Sequence, residues 1–182
     1  MKVLIIVDMQ KDFINGSLGT AEAVNIVSNI VKRMENSNGE LILFTKDTHQ
    51  EDYLNTAEGK KLPVPHCIVG TDAWMIDEAI LNAWRNNSST IRLPELHENT
   101  FAKSVFGSVD LVAFLKARSA DISEIEILGV CTDICVISNA IMIKNTMPET
   151  KINVNANCCA GVTPKTHDEA LSVMKMCHID VI

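Results

Sequence analysis

The chain lacks a long hydrophobic run and any excess of positive charge. No apolar stretch approaches the ~20 residues that a membrane-spanning helix requires, and the short run at 3–7 is interrupted by Asp8, so no signal peptide is expected. A net charge of −7 argues against a nucleic-acid partner or an anionic membrane surface, since both attract basic patches. We therefore expect a cytoplasmic protein.

The sequence also shows no internal repeat, no low-complexity tract and no linker, which predicts a single domain over residues 1–182. Its six cysteines could form disulfides in a small secreted protein. A chain of this length with 47% hydrophobic residues can build its own core, however. Reduced thiols are therefore predicted.

Strand-like and helix-like segments alternate along the chain. Buried-strand patterns occur at 3–7, 41–44, 90–93, 125–130, 152–155 and 178–182, and helical patterns at 20–34, 72–84, 109–117, 135–145 and 164–176. Repeated βα units predict an α/β fold with a doubly wound parallel sheet. Ligands bind such sheets beyond the carboxyl ends of the strands.

Polar residues with catalytic chemistry follow four of these strands. Asp8 ends the first, Asp47 and His49 follow the second, Lys103 lies in the loop region after the third, and Cys135 follows the fourth. Agreement across four separate βα junctions predicts a site at this edge of the sheet.

Cys135 is the candidate nucleophile, because a helix N-terminus favours a thiolate and lowers the thiol pKa. Asp8 is the candidate acid–base group, and Lys103 would stabilise the charged forms of both. The backbone N–H groups of Cys131 and Cys135 could form an oxyanion hole. Taken singly, these residues could equally be an inert buried thiol, a turn aspartate and a surface lysine. Together they indicate a cysteine hydrolase of small amides.

A second cluster has metal-ligand chemistry. Asp47 and His49 are two residues apart, so both side chains can point the same way from an extended segment, and Glu58 and His66 lie in the same loop. This mixture of carboxylate and imidazole suits Zn, Mn or Fe(II) rather than Ca. The alternative is a solvated polar loop.

These motifs resemble those of the isochorismatase-like cysteine hydrolases, and among them the nicotinamidases. The matching blocks run in the family's order and span most of the chain: residues 8–13 (DMQKDF), 47–49 (DTH), 65–71 (PHCIVGT), 101–104 (FAKS) and 129–136 (GVCTDICV). The block at 65–71 separates nicotinamidase-like members from metal-free isochorismatases.

The resemblance implies a Rossmann-like three-layer fold, with a six-stranded parallel sheet and helices on both faces. It implies an Asp8–Lys103–Cys135 triad, an acyl-enzyme thioester and a cis peptide between Val130 and Cys131. It further implies a divalent metal, usually zinc, iron or manganese, that holds the ring nitrogen of nicotinamide, with Glu58 at a ligand position that varies. Homo-oligomers and a role in NAD salvage are also typical of the family.

One position departs from the family pattern. Pro63 stands three residues before His66, where nicotinamidases often carry an aromatic residue that stacks on the pyridine ring. Phe13 and Phe106 could form an aromatic wall instead. The alternatives to a nicotinamidase are an amidase for another small carboxamide, an isochorismatase, whose reaction needs neither thiol nor metal, and a non-catalytic binding subunit.

Overall fold

The computed structural model describes all 182 residues, and its centre is a six-stranded sheet. The strands are β1 (Lys2–Val7), β2 (Leu41–Asp47), β3 (Thr100–Lys103), β4 (Glu124–Val130), β5 (Lys151–Ala160) and β6 (Asp180–Val181). Their order is β3-β2-β1-β4-β5-β6, and every neighbouring pair is parallel. The predicted doubly wound α/β fold is confirmed.

Six α-helices surround the sheet: α1 (Lys11–Ile14), α2 (Ala21–Glu35), α3 (Glu78–Asn86), α4 (Val109–Lys116), α5 (Ile137–Thr146) and α6 (Pro164–Met176). Side chains alternate along each strand, so β1 contributes to two cores. Val3, Ile5 and Val7 pack with α4, α5 and α6, whereas Leu4 and Ile6 pack with α2 and α3. Helices therefore cover both faces, as the resemblance implied.

The third strand is not where the sequence pattern placed it. Residues 90–93 contribute a single bridge, from Ile91 to Leu41, and the strand is Thr100–Lys103. Lys103 is thus the last residue of β3, paired in register with Asp47, and does not lie in a loop beyond the strand. The prediction failed because β3 is short and is defined by its pairing with β2 rather than by a hydrophobic run.

Two helix starts also differ from the prediction. The helix predicted at 72–84 begins only at Glu78, because the preceding carbonyls of Ala73 and Met75 accept hydrogen bonds from the N–H groups of Asp12 and Lys11. The helix predicted at 135–145 is preceded by a π-helical turn, Thr132–Val136, which contains Cys135.

The chain between β4 and this turn has unusual backbone geometry. The Val130–Cys131 peptide is cis, as the resemblance implied. Gly129 has φ +118°, and a Cβ there would lie 2.1 Å from the carbonyl oxygen of Val7, its register partner on β1. Only glycine allows β1 and β4 to approach so closely at this point.

No helix has the length and apolar character to cross a membrane. The cytoplasmic location and the homo-oligomer stay predictions.

Candidate active site

Three buried side chains meet where the strand order reverses, beyond the carboxyl ends of β1 and β4. The Lys103 ammonium lies 2.7 Å from Asp8 Oδ2 and 3.5 Å from Cys135 Sγ. All three residues are at most 7% exposed. The structure therefore brings together the three residues that the sequence singled out, at the crevice where doubly wound sheets bind ligands.

Thr45 on β2 orients the carboxylate of Asp8. Its hydroxyl donates to Asp8 Oδ1 at 2.6 Å and accepts from the Asp8 N–H at 3.2 Å. Asp8 directly follows β1 and has φ +49°, a left-handed conformation that is uncommon for residues other than glycine. The two hydrogen bonds with Thr45 help to hold Asp8 in this conformation. Sequence analysis missed Thr45, because nothing in its own segment distinguishes it from an ordinary strand residue.

Burial dominates the protonation of Cys135 and Asp8. It raises the pKa of Cys135 well above the ordinary thiol value, the charge of Asp8 raises it further, and Lys103 opposes both. Burial likewise raises the pKa of Asp8, against the effect of Lys103. The expectation that a helix N-terminus lowers the pKa of Cys135 is therefore wrong. The thiol lies enclosed in the π-helical turn, and Lys103 is the group that favours its ionisation.

Asp47, His49 and His66 form a second cluster beside the first. Asp47 Oδ2 lies 2.9 Å from His49 Nε2 and 3.3 Å from His66 Nε2. One ligand atom from each of the three residues falls within 4.8 Å of the others. Glu58 Oε1 lies 3.9 Å from His49 Nε2 and 4.0 Å from His66 Nε2. Glu58 therefore lies at the border of the cluster, and its side chain is more exposed than those of the other three residues.

The donor atoms of this cluster fit a divalent metal. Nδ1 of His66 lies 2.8 Å from the Val64 carbonyl, which can only accept, so Nδ1 donates there and Nε2, which faces Asp47, is the nitrogen that would bind a metal once it is deprotonated. Burial would favour a neutral Asp47, yet hydrogen bonds from His49 and His66 hold its pKa below the usual range. Two imidazoles and an ionised carboxylate are the donors that zinc, iron and manganese take.

Side chains of the α1 region hold the cluster in place. The Gln10 amide donates to the Asp47 carbonyl at 2.8 Å and accepts from the Asp47 N–H at 2.7 Å. Asp12 Oδ2 accepts from the Cys67 N–H at 2.6 Å, next to His66. Gln10 and Asp12 lie in the matching block 8–13, but no sequence pattern shows which backbone groups they bind.

Tyr53 packs behind the two imidazoles. Its ring centre lies 4.6 Å from that of His49 and 4.9 Å from that of His66. Only 1% of Tyr53 is exposed, and its hydroxyl donates to the Leu62 carbonyl at 3.0 Å. The sequence analysis did not identify this residue, whose role depends on the folding of the whole 49–66 loop.

Lys103 joins the two clusters, because its ammonium also lies 3.4 Å from Asp47 Oδ1. One cation thus contacts Asp8, Cys135 and Asp47, and these charges raise its pKa although burial alone would lower it. Changing any one of these groups will alter the protonation of the rest.

A cavity of about 220 Å³ opens onto both clusters. Cys131, Cys135, Asp47, Glu58 and His66 contribute to its wall, as do the predicted aromatic residues Phe13 and Phe106. Leu62 lines it as well, whereas Pro63 does not. The cavity is mostly apolar, with a few polar groups in its wall, as in sites for small organic ligands.

The Cys131 amide N–H has no acceptor in the structure, unlike most buried backbone donors. The Cys131 side chain is half-buried and desolvation raises the pKa of its thiol to about 12, but Cys135 is the thiol that the Lys103 ammonium contacts.

Comparison with known proteins shows the same fold and family. The chain is 27% identical to a nicotinamidase/pyrazinamidase of Mycobacterium tuberculosis, over 100% of this chain and 98% of that one. It is similar to the crystal structure of a pyrazinamidase/nicotinamidase from Streptococcus mutans, with a TM-score of 0.80, 26% identity and 100% of each chain covered. A pyrazinamidase of Pyrococcus horikoshii in complex with zinc has the same fold (TM-score 0.72, 23% identity, 100% of this chain and 98% of that one).

The model of the isochorismatase domain matches residues 2–182. This family and the relatives named nicotinamidase/pyrazinamidase confirm the expected enzyme class, a hydrolase that acts on amides. Since the match extends over nearly the whole sequence, the chain belongs to the isochorismatase family.

Proposed function

We propose that the chain is a metal-dependent cysteine amidohydrolase that converts nicotinamide to nicotinate and ammonia. The observation that carries this proposal is the placement of Lys103 between Asp8, Cys135 and Asp47, of which Cys135 and Asp47 line a cavity of about 220 Å³. The similarity to proteins named nicotinamidase supports the choice of substrate.

In the first half-reaction, the Asp8 carboxylate accepts the Cys135 thiol proton as Sγ attacks the amide carbon. The carbonyl oxygen gains negative charge and would be stabilised by the N–H groups of Cys131 and Cys135. When the C–N bond breaks, Asp8 returns the proton to the leaving nitrogen. Ammonia departs and an acyl thioester on Cys135 remains.

In the second half-reaction, Asp8 accepts a proton from water, whose oxygen attacks the thioester carbon. The C–S bond breaks, the proton goes to the sulfur and the carboxylic acid product leaves. A raised pKa suits Asp8 for both directions of this proton transfer, because a general base works best when its pKa is close to the operating pH. Lys103 stabilises the thiolate that forms transiently at each step.

Asp47, His49 and His66 would hold a divalent metal, with Glu58 as a fourth candidate ligand. Zinc is the first choice, and iron or manganese suit the same donors. When bound, such an ion supplies a Lewis-acidic position for the ring nitrogen of a pyridine carboxamide. Phe13 and Phe106 would then flank the ring.

A related amidase for another small carboxamide is the second candidate. Pro63 stands where nicotinamidases often place an aromatic residue, and the nearby Leu62 lines the cavity instead, so the cavity wall is less specific for a flat ring. The intact Asp8, Lys103 and Cys135 argue against a non-catalytic subunit. Isochorismate hydrolysis would leave both the thiol and the metal ligands without a use.

The test is ammonia release from nicotinamide by the purified protein, with pyrazinamide and benzamide as competing substrates. Cys135→Ala should abolish release, whereas Cys177→Ala should retain it, because Cys177 is exposed and lies outside the cavity. Substantial release by Cys135→Ala would refute the assigned nucleophile. Faster release from another amide would move the proposal to that substrate.

The metal role is tested by chelation followed by restoration with Zn²⁺, Fe²⁺ or Mn²⁺. Loss of activity with chelator and recovery with one ion would support the site and identify the metal. If the protein is shown to be free of metal after chelation and still has full activity, then a metal bound by Asp47, His49 and His66 has no role in the mechanism.

A further inference from the structure

Lys46 is a buried cation outside the candidate active site. It precedes Asp47 on β2 and is 8% exposed. Side chains alternate along a strand, so Lys46 points to the opposite face of the sheet from Thr45 and Asp47. Its ammonium lies 3.0 Å from the centre of the Trp74 ring.

This ammonium has no hydrogen-bond acceptor and no ion-pair partner in the structure. The other buried charged side chains each have one: Asp8 and Asp47 contact Lys103, and Asp12 accepts from Cys67. An ammonium group has three N–H donors, and the face of the Trp74 ring cannot accept all three. Lys46 is therefore the one buried charged side chain with neither a hydrogen bond nor an ion pair to another protein group, and its ammonium is accessible from a neighbouring cavity.

Lys46 opens into a cavity of about 440 Å³ at the β3 edge of the sheet. The walls beside it are largely apolar and include Trp74, Ile76, Leu81 and Leu96. The volume and the combination of apolar walls with few polar groups are typical of small-molecule sites. No residue lines both this cavity and the one that contains Cys135.

We propose that this cavity binds a small monocarboxylate with a flat apolar body. The carboxylate would accept hydrogen bonds from the Lys46 ammonium, and the body would pack on Ile76, Leu81 and Leu96. A neutral apolar ligand would leave the cation unpaired, and a cationic ligand would be repelled by it. Glu95, which is exposed and also lines the cavity, disfavours ligands with a second negative charge.

The proposal does not depend on the proposed function, since it uses no residue of the candidate active site. It does have a structural link to that site. The Gln10 amide donates both to the Trp74 carbonyl at 2.9 Å and to the Asp47 carbonyl at 2.8 Å. A ligand that moves the Trp74 segment would therefore act on the backbone that supports Asp47.

The probe is benzoate, and the readout is the ¹⁵N–H signal of each tryptophan indole. Trp74 lines the cavity and its indole N–H donates to Thr48 at 2.9 Å, while Trp84 does not line it and serves as the internal control. Benzoate should cause a saturable shift of the Trp74 signal and little change at Trp84. Benzyl alcohol, the neutral analogue, should cause no saturable shift.

Lys46→Met keeps the apolar stem and removes the charge, and it should weaken benzoate binding by about tenfold or more. Lys46→Arg, which retains the cation, should restore binding. A thermal melt of each variant establishes that it is folded. Equal affinity in Lys46→Met, equal affinity for benzyl alcohol, or a Trp74 signal that does not saturate up to the solubility limit of sodium benzoate would each overturn the proposal.

Discussion

Lys103 and Asp8 form an ion pair that is almost completely enclosed, with Nζ 2.7 Å from Oδ2 and both side chains at most 2% exposed. Removing one partner of such a pair leaves an uncompensated buried charge, which usually costs more than the pair itself contributes. Here Lys103 also contacts Cys135 and Asp47, so the ion pair connects stability with the chemistry of the thiol.

Lys103→Met should therefore affect the fold and the thiol together. We expect a loss of about 3 to 5 kcal/mol in the free energy of unfolding, measured in urea. Without the cation the pKa of Cys135 rises, so alkylation of Cys135 by iodoacetamide at fixed pH should slow. Lys165→Met, in an exposed pair with Glu169, is the control and should change neither quantity. Unchanged alkylation in Lys103→Met would contradict the role of this cation.

Asp8→Asn should have the opposite effect on the thiol. The negative charge of Asp8 raises the pKa of Cys135, so its removal lowers that pKa and alkylation should accelerate. Amide turnover should nevertheless fall by about 100-fold or more, because the acid–base group is lost. A slower alkylation rate in this variant would show that Asp8 does not act on the thiol through its charge.

Much of this site was predictable from sequence because its residues lie at the ends of buried strands. The apolar runs that became β1, β2 and β4 placed Asp8, Asp47 and Cys135 at one edge of the sheet. The helical pattern predicted at 164–176 likewise matches α6, which begins at Pro164, a residue that suits the first position of a helix. These predictions use local patterns, which a continuous apolar strand and a proline at a helix start display clearly.

The rest depends on contacts between distant segments. The strand that carries Lys103 is defined by pairing with β2, whereas residues 90–93, which were predicted as this strand, make only one bridge to β2. The hydrogen bonds from Thr45 to Asp8 and from Cys67 to Asp12 join residues that are 37 and 55 positions apart. The high pKa of the Cys135 thiol reflects burial, which a helix-start pattern does not reveal.

Gly129→Ala should destabilise the fold severely. A Cβ at this position would lie 2.1 Å from the Val7 carbonyl oxygen, in the centre of the sheet, and φ is +118°. We expect a loss of at least about 3 kcal/mol in the free energy of unfolding. Gly39→Ala is the matched control, since Gly39 also has positive φ but a Cβ there has open space around it. Equal losses in the two variants would mean that backbone conformation, and not the clash, sets the cost.

Asp12→Ala should loosen the His66 segment. It leaves the buried Cys67 N–H without its acceptor, which costs about 1 to 3 kcal/mol in stability. Because Cys67 adjoins His66, zinc affinity should fall by roughly 10- to 100-fold, as measured by competition with a chelator of known affinity. Ser17→Ala removes another hydrogen bond to the same carboxylate and should leave zinc affinity almost unchanged. Wild-type zinc affinity in Asp12→Ala would exclude this positioning role.

Glu124 should contribute to the acid sensitivity of the fold. Hydrogen bonds from Lys2 and Lys151 lower its pKa to about 2, from the ordinary value of 4.5. A depressed folded-state pKa gives stability that is present above the unfolded-state pKa and is lost as pH falls towards the folded-state value. Glu124→Gln should therefore flatten the fall in Tm between about pH 4.5 and pH 2. Glu169→Gln, at an exposed pair, should keep the wild-type slope.

The position of Lys103 on β3 determines how the enzyme should lose activity on heating or in denaturant. β3 has four residues, lies at an edge of the sheet and pairs only with β2, so it should separate more easily than the central strands. Asp8 and Cys135 are anchored around the central strands β1 and β4. On gentle heating or in mild denaturant, the ammonium should leave its partners while the central strands are still paired. Inactivation would then precede global unfolding, and refolding of one short strand would suffice to reverse it.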